Sequence, residues 1–206
     1  MTQRLVWNFE CSTTKKLLLN LPQEKQSNDL KWESRFFWPD DHIINLTTID
    51  DALLELTNYQ QKQKQDCYYL LPKHQYNIKR RRNQLWYKPL VQHSEYVLGF
   101  GAKINLDQED TAQKTTVNDK LMLHKIIQKT QKKGIEVLVK KESFTYKFPV
   151  KPIIKLELAR IEINGTIYFS ACVEGKSRHL VEVISEGLFG KQSSSDYVTF
   201  LKQIIK

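Results

Sequence analysis

Charged side chains recur two residues apart along nearly every strand-like run of this chain, and that pattern narrows the folds open to it. Successive side chains on a strand point to opposite faces, so residues two apart share one. In QYNIKRR (75–81), Asn77, Lys79 and Arg81 oppose Tyr76 and Ile78. In QLWYKPL (84–90), Trp86 and Lys88 oppose Leu85 and Tyr87, and in GIEVLVKKESF (134–144) Glu136, Lys140 and Glu142 oppose Ile135, Val137 and Val139. Along TIYFSACVEG (166–175), Tyr168, Ser170, Cys172 and Glu174 oppose Ile167, Phe169, Ala171 and Val173. The run LKWESRFFW (30–38) puts Glu33 and Arg35 on the face of Phe37, where an ordinary core would want neither. Two architectures satisfy the pattern. One is an open sheet with its charged face in water. The other is a sheet closed on itself, whose charged interior would bind a multiply charged anion with or without a divalent metal. Periodicity alone does not choose between them, nor does it say which of Lys79, Arg80 and Arg81 face inward, because a one-residue slip in register exchanges the faces.

The remaining elements follow from composition and punctuation. Residues 3–10 and 30–38 read as strands, with a polar loop between them. An Asp pair and apolar Ile49, Leu53, Leu54 and Leu56 predict a helix over 48–63. Strands are expected at 66–72, 75–81, 84–91, 95–106, 134–148, 151–164 and 166–175, the last two joined by the two-residue turn Asn164-Gly165. Helices are expected at 117–133, ended by Gly134, and at 177–189, with a short final helix capped by Ser195-Asp196. About eight strands with helices between them predict an α+β fold built on a mainly antiparallel sheet or barrel.

Composition sets limits on function. With 40% hydrophobic residues the 206-residue chain can bury a core, and 32 Lys and Arg against 23 Asp and Glu give a net charge of +9. That surplus favours anionic partners such as polyphosphate, nucleotides or nucleic acid. Cys11, Cys67 and Cys172 are widely spaced and fit neither a disulfide framework nor a zinc knuckle. No apolar run approaches the ~20 residues of a membrane span, and the N-terminal stretch does not read as a secretory signal. The chain therefore reads as cytoplasmic. The five histidines are scattered, and no P-loop, nucleophile elbow or dinucleotide fingerprint is present.

The order of the pieces resembles the CYTH domain, the triphosphate tunnel metalloenzyme superfamily that includes class IV adenylyl cyclases, thiamine triphosphatases and RNA triphosphatases. KWESRF (31–36) stands where the family carries Glu-x-Glu-x-Lys, with Lys31 at the first Glu, Glu33 at the second and Arg35 at the Lys. DCYYLLP, YNIKRR and LWYKP are similar to the family's next three strands, EVLVKKESF to its Val-x-Lys-x-Arg strand, and SSSDYVTFLKQII to its closing segment. KLELARIEIN and YFSACVEG resemble the late pair of strands that supplies metal-binding carboxylates.

The resemblance implies an eight-stranded antiparallel barrel, a tunnel with peripheral helices, formed by a single domain over 1–206 with residues 1–29 as an N-terminal extension. It implies phosphate contacts from Lys31, Arg35, Lys79, Arg81, Lys88 and Lys140, and Mg²⁺ or Mn²⁺ held by Glu33, Glu157 and Glu174. The departure at Lys31 removes a hard oxygen ligand and sets an ammonium against the metal. On this resemblance either the metal site is weakened, or Lys31 would stand in for the metal's charge and bind phosphate directly.

Three functions follow as expectations. The first is metal-dependent hydrolysis of a triphosphate, and the second is binding of a phosphorylated anion without catalysis. The third is nucleic-acid binding through Lys79-Arg80-Arg81-Arg82, with Trp86 and Tyr87 near for stacking.

Overall fold

The computed structural model describes residues 2–16, 29–48, 51–108 and 117–205. Its strands are β1 (Thr2–Val6), β2 (Phe9–Lys16), β3 (Lys31–Pro39), β4 (Ile44–Thr48), β5 (Gln60–Leu70), β6 (Asn77–Arg81), β7 (Gln84–Lys88), β8 (Leu90–His93), β9 (Leu98–Phe100), β10 (Ile104–Asn105), β11 (Ile135–Lys147), β12 (Ile154–Ile163) and β13 (Thr166–Gly175). The helices are α1 (Val117–Lys133), α2 (Arg178–Phe189) and α3 (Tyr197–Ile204). The fold is α+β and mainly antiparallel, as expected. The principal sheet has ten strands rather than eight, in the order β10-β7-β6-β5-β11-β12-β13-β3-β9-β8. A separate sheet, β1-β2-β4, joins the N-terminal residues to a strand at 44–48 that no sequence signal had suggested.

Local chemistry accounts for the joints. Asn164 and Gly165 both take positive φ, 51° and 80°, as a tight hairpin between β12 and β13 requires. Ser177 and Asp196 cap α2 and α3 by accepting from Leu180 N and Thr199 N. Pro89 separates β7 from β8, and its carbonyl accepts from Gly101 N over 3.0 Å. The run 84–93 therefore pairs with β6 in its first half and with β9 in its second.

The helix expected over 48–63 is not formed. Residues 49 and 50 lie outside the described residues; beyond them come two short 3-10 turns, Asp51–Leu54 and Leu56–Asn58, and then β5. Gln60 to Leu70 pair residue for residue with Thr145 to Ile135. That long ladder outweighs the helix-compatible Gln and Lys composition of 60–65, since helix propensity is a weak prior against tertiary pairing.

Both faces of the principal sheet are covered around β3. On its outer side Trp32, Ser34 and Phe36 are buried. Ser34 Oγ accepts from Ser185 Oγ of α2 at 2.8 Å, and Phe36 meets Phe189 at 5.4 Å between ring centroids. Leu5, Phe9, Cys11, Ile44 and Leu46 of the small sheet join the same apolar cluster. On the inner side α3 lies across one end, where Phe200 stacks on Phe37 at 4.0 Å and meets Tyr168 edge-on at 5.2 Å. Val198 and Leu201 pack there with Leu70, Val137, Val139, Ile161 and Ile163. An open sheet with one face in water does not describe this arrangement. Among the described residues no helix is long and apolar enough to cross a membrane, and Cys11, Cys67 and Cys172 are free thiols.

Candidate functional site

Beyond α3 the inner face turns from apolar to ionic. Period-two alternation aims Lys31, Glu33 and Arg35 of β3, Lys64 and Tyr68 of β5, and Lys79 and Arg81 of β6 at one cavity. Lys88 of β7, Lys141 of β11, Glu157 of β12 and Glu174 of β13 join them, with Lys103, Asp196 and Tyr197. The cavity holds about 140 Å³. Eight cationic side chains line it against four carboxylates, so it carries a surplus of positive charge.

The carboxylates do not sit free. Glu157 receives Lys141 at 2.8 and 2.9 Å and Arg35 at 3.2 Å. Glu33 receives Lys88, with Lys31 at 3.8 Å and Arg35 at 3.9 Å. Glu174 receives Lys31 at 2.6 Å. Burial alone would raise the carboxyl pKa of Glu33, but Lys88, Lys31 and Arg35 hold it well below the usual range. Lys141 and Arg35 do the same for Glu157 against its burial. Asp66, on the same face of β5 as Lys64 and Tyr68, receives Lys79 at 2.9 Å and both Nε and one terminal nitrogen of Arg81.

The cations exceed these partners. Neither Lys64 nor Lys103 forms a salt bridge among the described residues, and both have lowered pKa values, led by burial. Lys64 is brought to about 8, with Lys141 adding repulsion, and burial brings Lys79 to about 7 despite Asp66. The Tyr197 hydroxyl is buried with no hydrogen-bond partner among the described residues. It faces the cavity, with the Arg35 guanidinium 4.9 Å from its ring. An orphaned buried donor is costly unless something completes it.

Lys31, Arg35, Lys79, Arg81, Lys88, Glu33, Glu157 and Glu174, singled out from the sequence, all border this cavity. Lys140 does not. It points outward, is 55% exposed at its side chain, and pairs with Glu162 at 2.9 Å. Its neighbour Lys141 is the inward residue, because Val137 and Val139 belong to the α3-facing side rather than to the side opposite the cavity. The basic run 79–82 also divides. Lys79 and Arg81 turn in, while Arg80 turns out to Tyr69 Oη and to the carbonyl of Asn83. Asp66, Lys64, Lys103 and Tyr197 were missed. Lys64, Asp66 and Tyr68 do alternate, but a helix reading across 48–63 hid the start of their strand.

The residues do not fit a bound Mg²⁺ or Mn²⁺. Glu33, Cys172 and Glu174 offer atoms within 4.8 Å of one another, and Glu157 stands apart with Arg35 and Lys141. Burial pushes the Cys172 thiol far up, so it stays protonated. The remaining two carboxylates are engaged by ammonium groups, whereas a hard divalent cation demands several oxygen ligands.

Neither protein-family models nor curated proteins give a match to this chain. Among solved structures it is similar to a candidate adenylate cyclase from Bacillus halodurans, at 12% identity and a TM-score of 0.37, over 77% of this chain and 86% of that one. It is similar as well to the PH1819 protein from Pyrococcus horikoshii OT3, at 15% identity and a TM-score of 0.36, over 84% of this chain and 99% of that one. Likenesses this slight say nothing about chemistry, which the residues themselves must carry.

Proposed function

We propose that this chain binds a polyphosphate-like anion, such as tripolyphosphate or the triphosphate of a nucleotide, inside a closed barrel. In the ten-stranded principal sheet, two-residue β10 aside, β7 and β8 form one run broken at Pro89. That run joins the two ends of the sheet order, and Lys88 spans the seam to Glu33. The observation that carries the reading is the enclosed surplus of cations over carboxylates. Ammonium and guanidinium groups make their strongest hydrogen bonds to anionic oxygen, and phosphate supplies several such oxygens in one ligand. Tyr197 Oη adds a donor aimed at the same space. Metal-dependent hydrolysis finds no support in the carboxylates as they are paired, so binding is the activity we assign. Of the run 79–82, Lys79 and Arg81 line the cavity while Arg80 turns out to Tyr69, which favours an enclosed anion over a backbone laid along this run.

Thermal unfolding with millimolar tripolyphosphate tests this. Ligand at a hundredfold excess over its Kd stabilises by about 2.7 kcal/mol, worth on the order of 5–10 °C in Tm for a chain of this size. The absence of any shift with tripolyphosphate, pyrophosphate and nucleotides would overturn the reading. RNA or DNA binding with a steep salt dependence would replace it.

A further inference from the structure

We propose that Lys31 is a resident cation occupying the place between Glu33 and Glu174 that a divalent metal would otherwise take, so that anion binding here needs no metal. The two carboxylates and the Cys172 thiol are the one group among the described residues whose donor atoms converge closely enough to hold an ion. They belong to adjacent strands in fixed register: Glu33 lies opposite Glu174, and Arg35 opposite Cys172. The ammonium of Lys31 lies on both acids, at 2.6 Å from Glu174 Oε2 and 3.8 Å from Glu33 Oε1. Lys88 takes the same Glu33 oxygen, and the Arg35 guanidinium reaches its other oxygen at 3.9 Å.

A divalent ion entering this pair would have to displace an ammonium tethered two residues from Glu33 on the same strand. It would then sit beside two further cations, Lys88 and Arg35. Both the lost ion pairs and the added repulsion oppose that exchange. The Lys31 side chain is 42% exposed, so its charge reaches the mouth of the cavity and remains available to an incoming anion. The ammonium thus neutralises the acids, as a metal would, while keeping donors to offer phosphate oxygen.

The claim has two separable parts: occupancy of the acid pair, which stands on geometry alone, and metal-independent anion binding, which rests on the proposed function. Mn²⁺ titration followed by electron paramagnetic resonance addresses the first. The wild-type protein is expected to leave Mn²⁺ free, whereas Lys31→Glu, and more weakly Lys31→Gln, should take it up at least about tenfold more tightly, a difference of ~1.4 kcal/mol. Lys31→Gln adds no charge and serves if the Glu variant fails to fold. Wild-type Mn²⁺ binding that is lost in Glu174→Gln would overturn the inference. So would Lys31 variants that bind Mn²⁺ no better than the parent. For the second part, the tripolyphosphate shift in Tm should be the same in EDTA as in Mg²⁺, and a shift that requires Mg²⁺ would overturn it. If no shift occurs in either condition, the anion reading fails, while the Mn²⁺ titration still decides what occupies the acid pair.

Discussion

Lys79 Nζ donates to Asp66 Oδ2 over 2.9 Å, and Nε and one terminal nitrogen of the Arg81 guanidinium donate to the same carboxylate. One acid serves two cations, which leaves Lys79 easy to deprotonate. Burial, reinforced by Arg81 and only partly offset by Asp66, brings it to about 7. An anion in the cavity restores its charge, so tripolyphosphate binding at pH 7.5 should take up protons. Calorimetry in two buffers of different ionisation enthalpy measures the number. Lys79→Met should lower that number by a fraction of a proton, the ligand's own titration cancelling between the two proteins. Equal uptake by both proteins would refute the assignment.

The same shift has a consequence for stability without ligand. Between about 7 and the ordinary 10.5, the unfolded chain holds a proton on Lys79 that the folded chain lacks. Stability from this group therefore rises with pH across that window. Urea unfolding at pH 6.5, 8 and 9.5 should show the rise in the parent and a flatter profile in Lys79→Met.

Lys140 and Lys141 make a direct test of register. Lys140→Ala breaks only an exposed pair with Glu162, so stability should change by no more than about 0.5 kcal/mol and tripolyphosphate affinity should stay the same. Lys141→Ala deprives buried Glu157 of its closest partner and should cost about 3 kcal/mol in urea unfolding. It should weaken the anion as well.

Glu157→Gln separates stability from binding. It leaves Arg35 and Lys141 facing each other without their shared carboxylate, and the folded protein should lose on the order of 3 kcal/mol. Tripolyphosphate would then supply the missing negative charge. The variant's Tm should rise more with ligand than the parent's does, read by differential scanning fluorimetry.

The end formed by α3 can be loosened in steps. Asp196→Ala removes the cap to Thr199 N and should cost about 1 kcal/mol. Phe200→Ala opens a gap against Phe37 and Tyr168 and should cost about 3–5 kcal/mol. Circular dichroism with urea measures both.

What could be read from the sequence was decided by whether a residue's surroundings were local. The Asn164-Gly165 hairpin, the extent of α1 and the Asp196 cap depend on neighbours in the chain, and they stand where expected. That Lys79 and Arg81 share a face, as do Glu33 and Arg35, also followed from the period of two, but which face turns inward did not. Asp66 and Lys64 did not, because their strand is held by β11, some seventy residues away in sequence. Lys140 was placed one position out because burial under α3 made Val137 and Val139 resemble an ordinary core face. Nor could any local signal show that an acid at 33 and an acid at 174 would share the ammonium at 31.

With Phe200, Leu201 and Val198 seated against the strand interiors, the barrel is stoppered at one end. If the cavity takes an anion as proposed, a long anionic polymer would enter it by its terminus rather than thread through. Chain length beyond the first few phosphates should then matter little, and capping the end of such a polymer should matter a great deal.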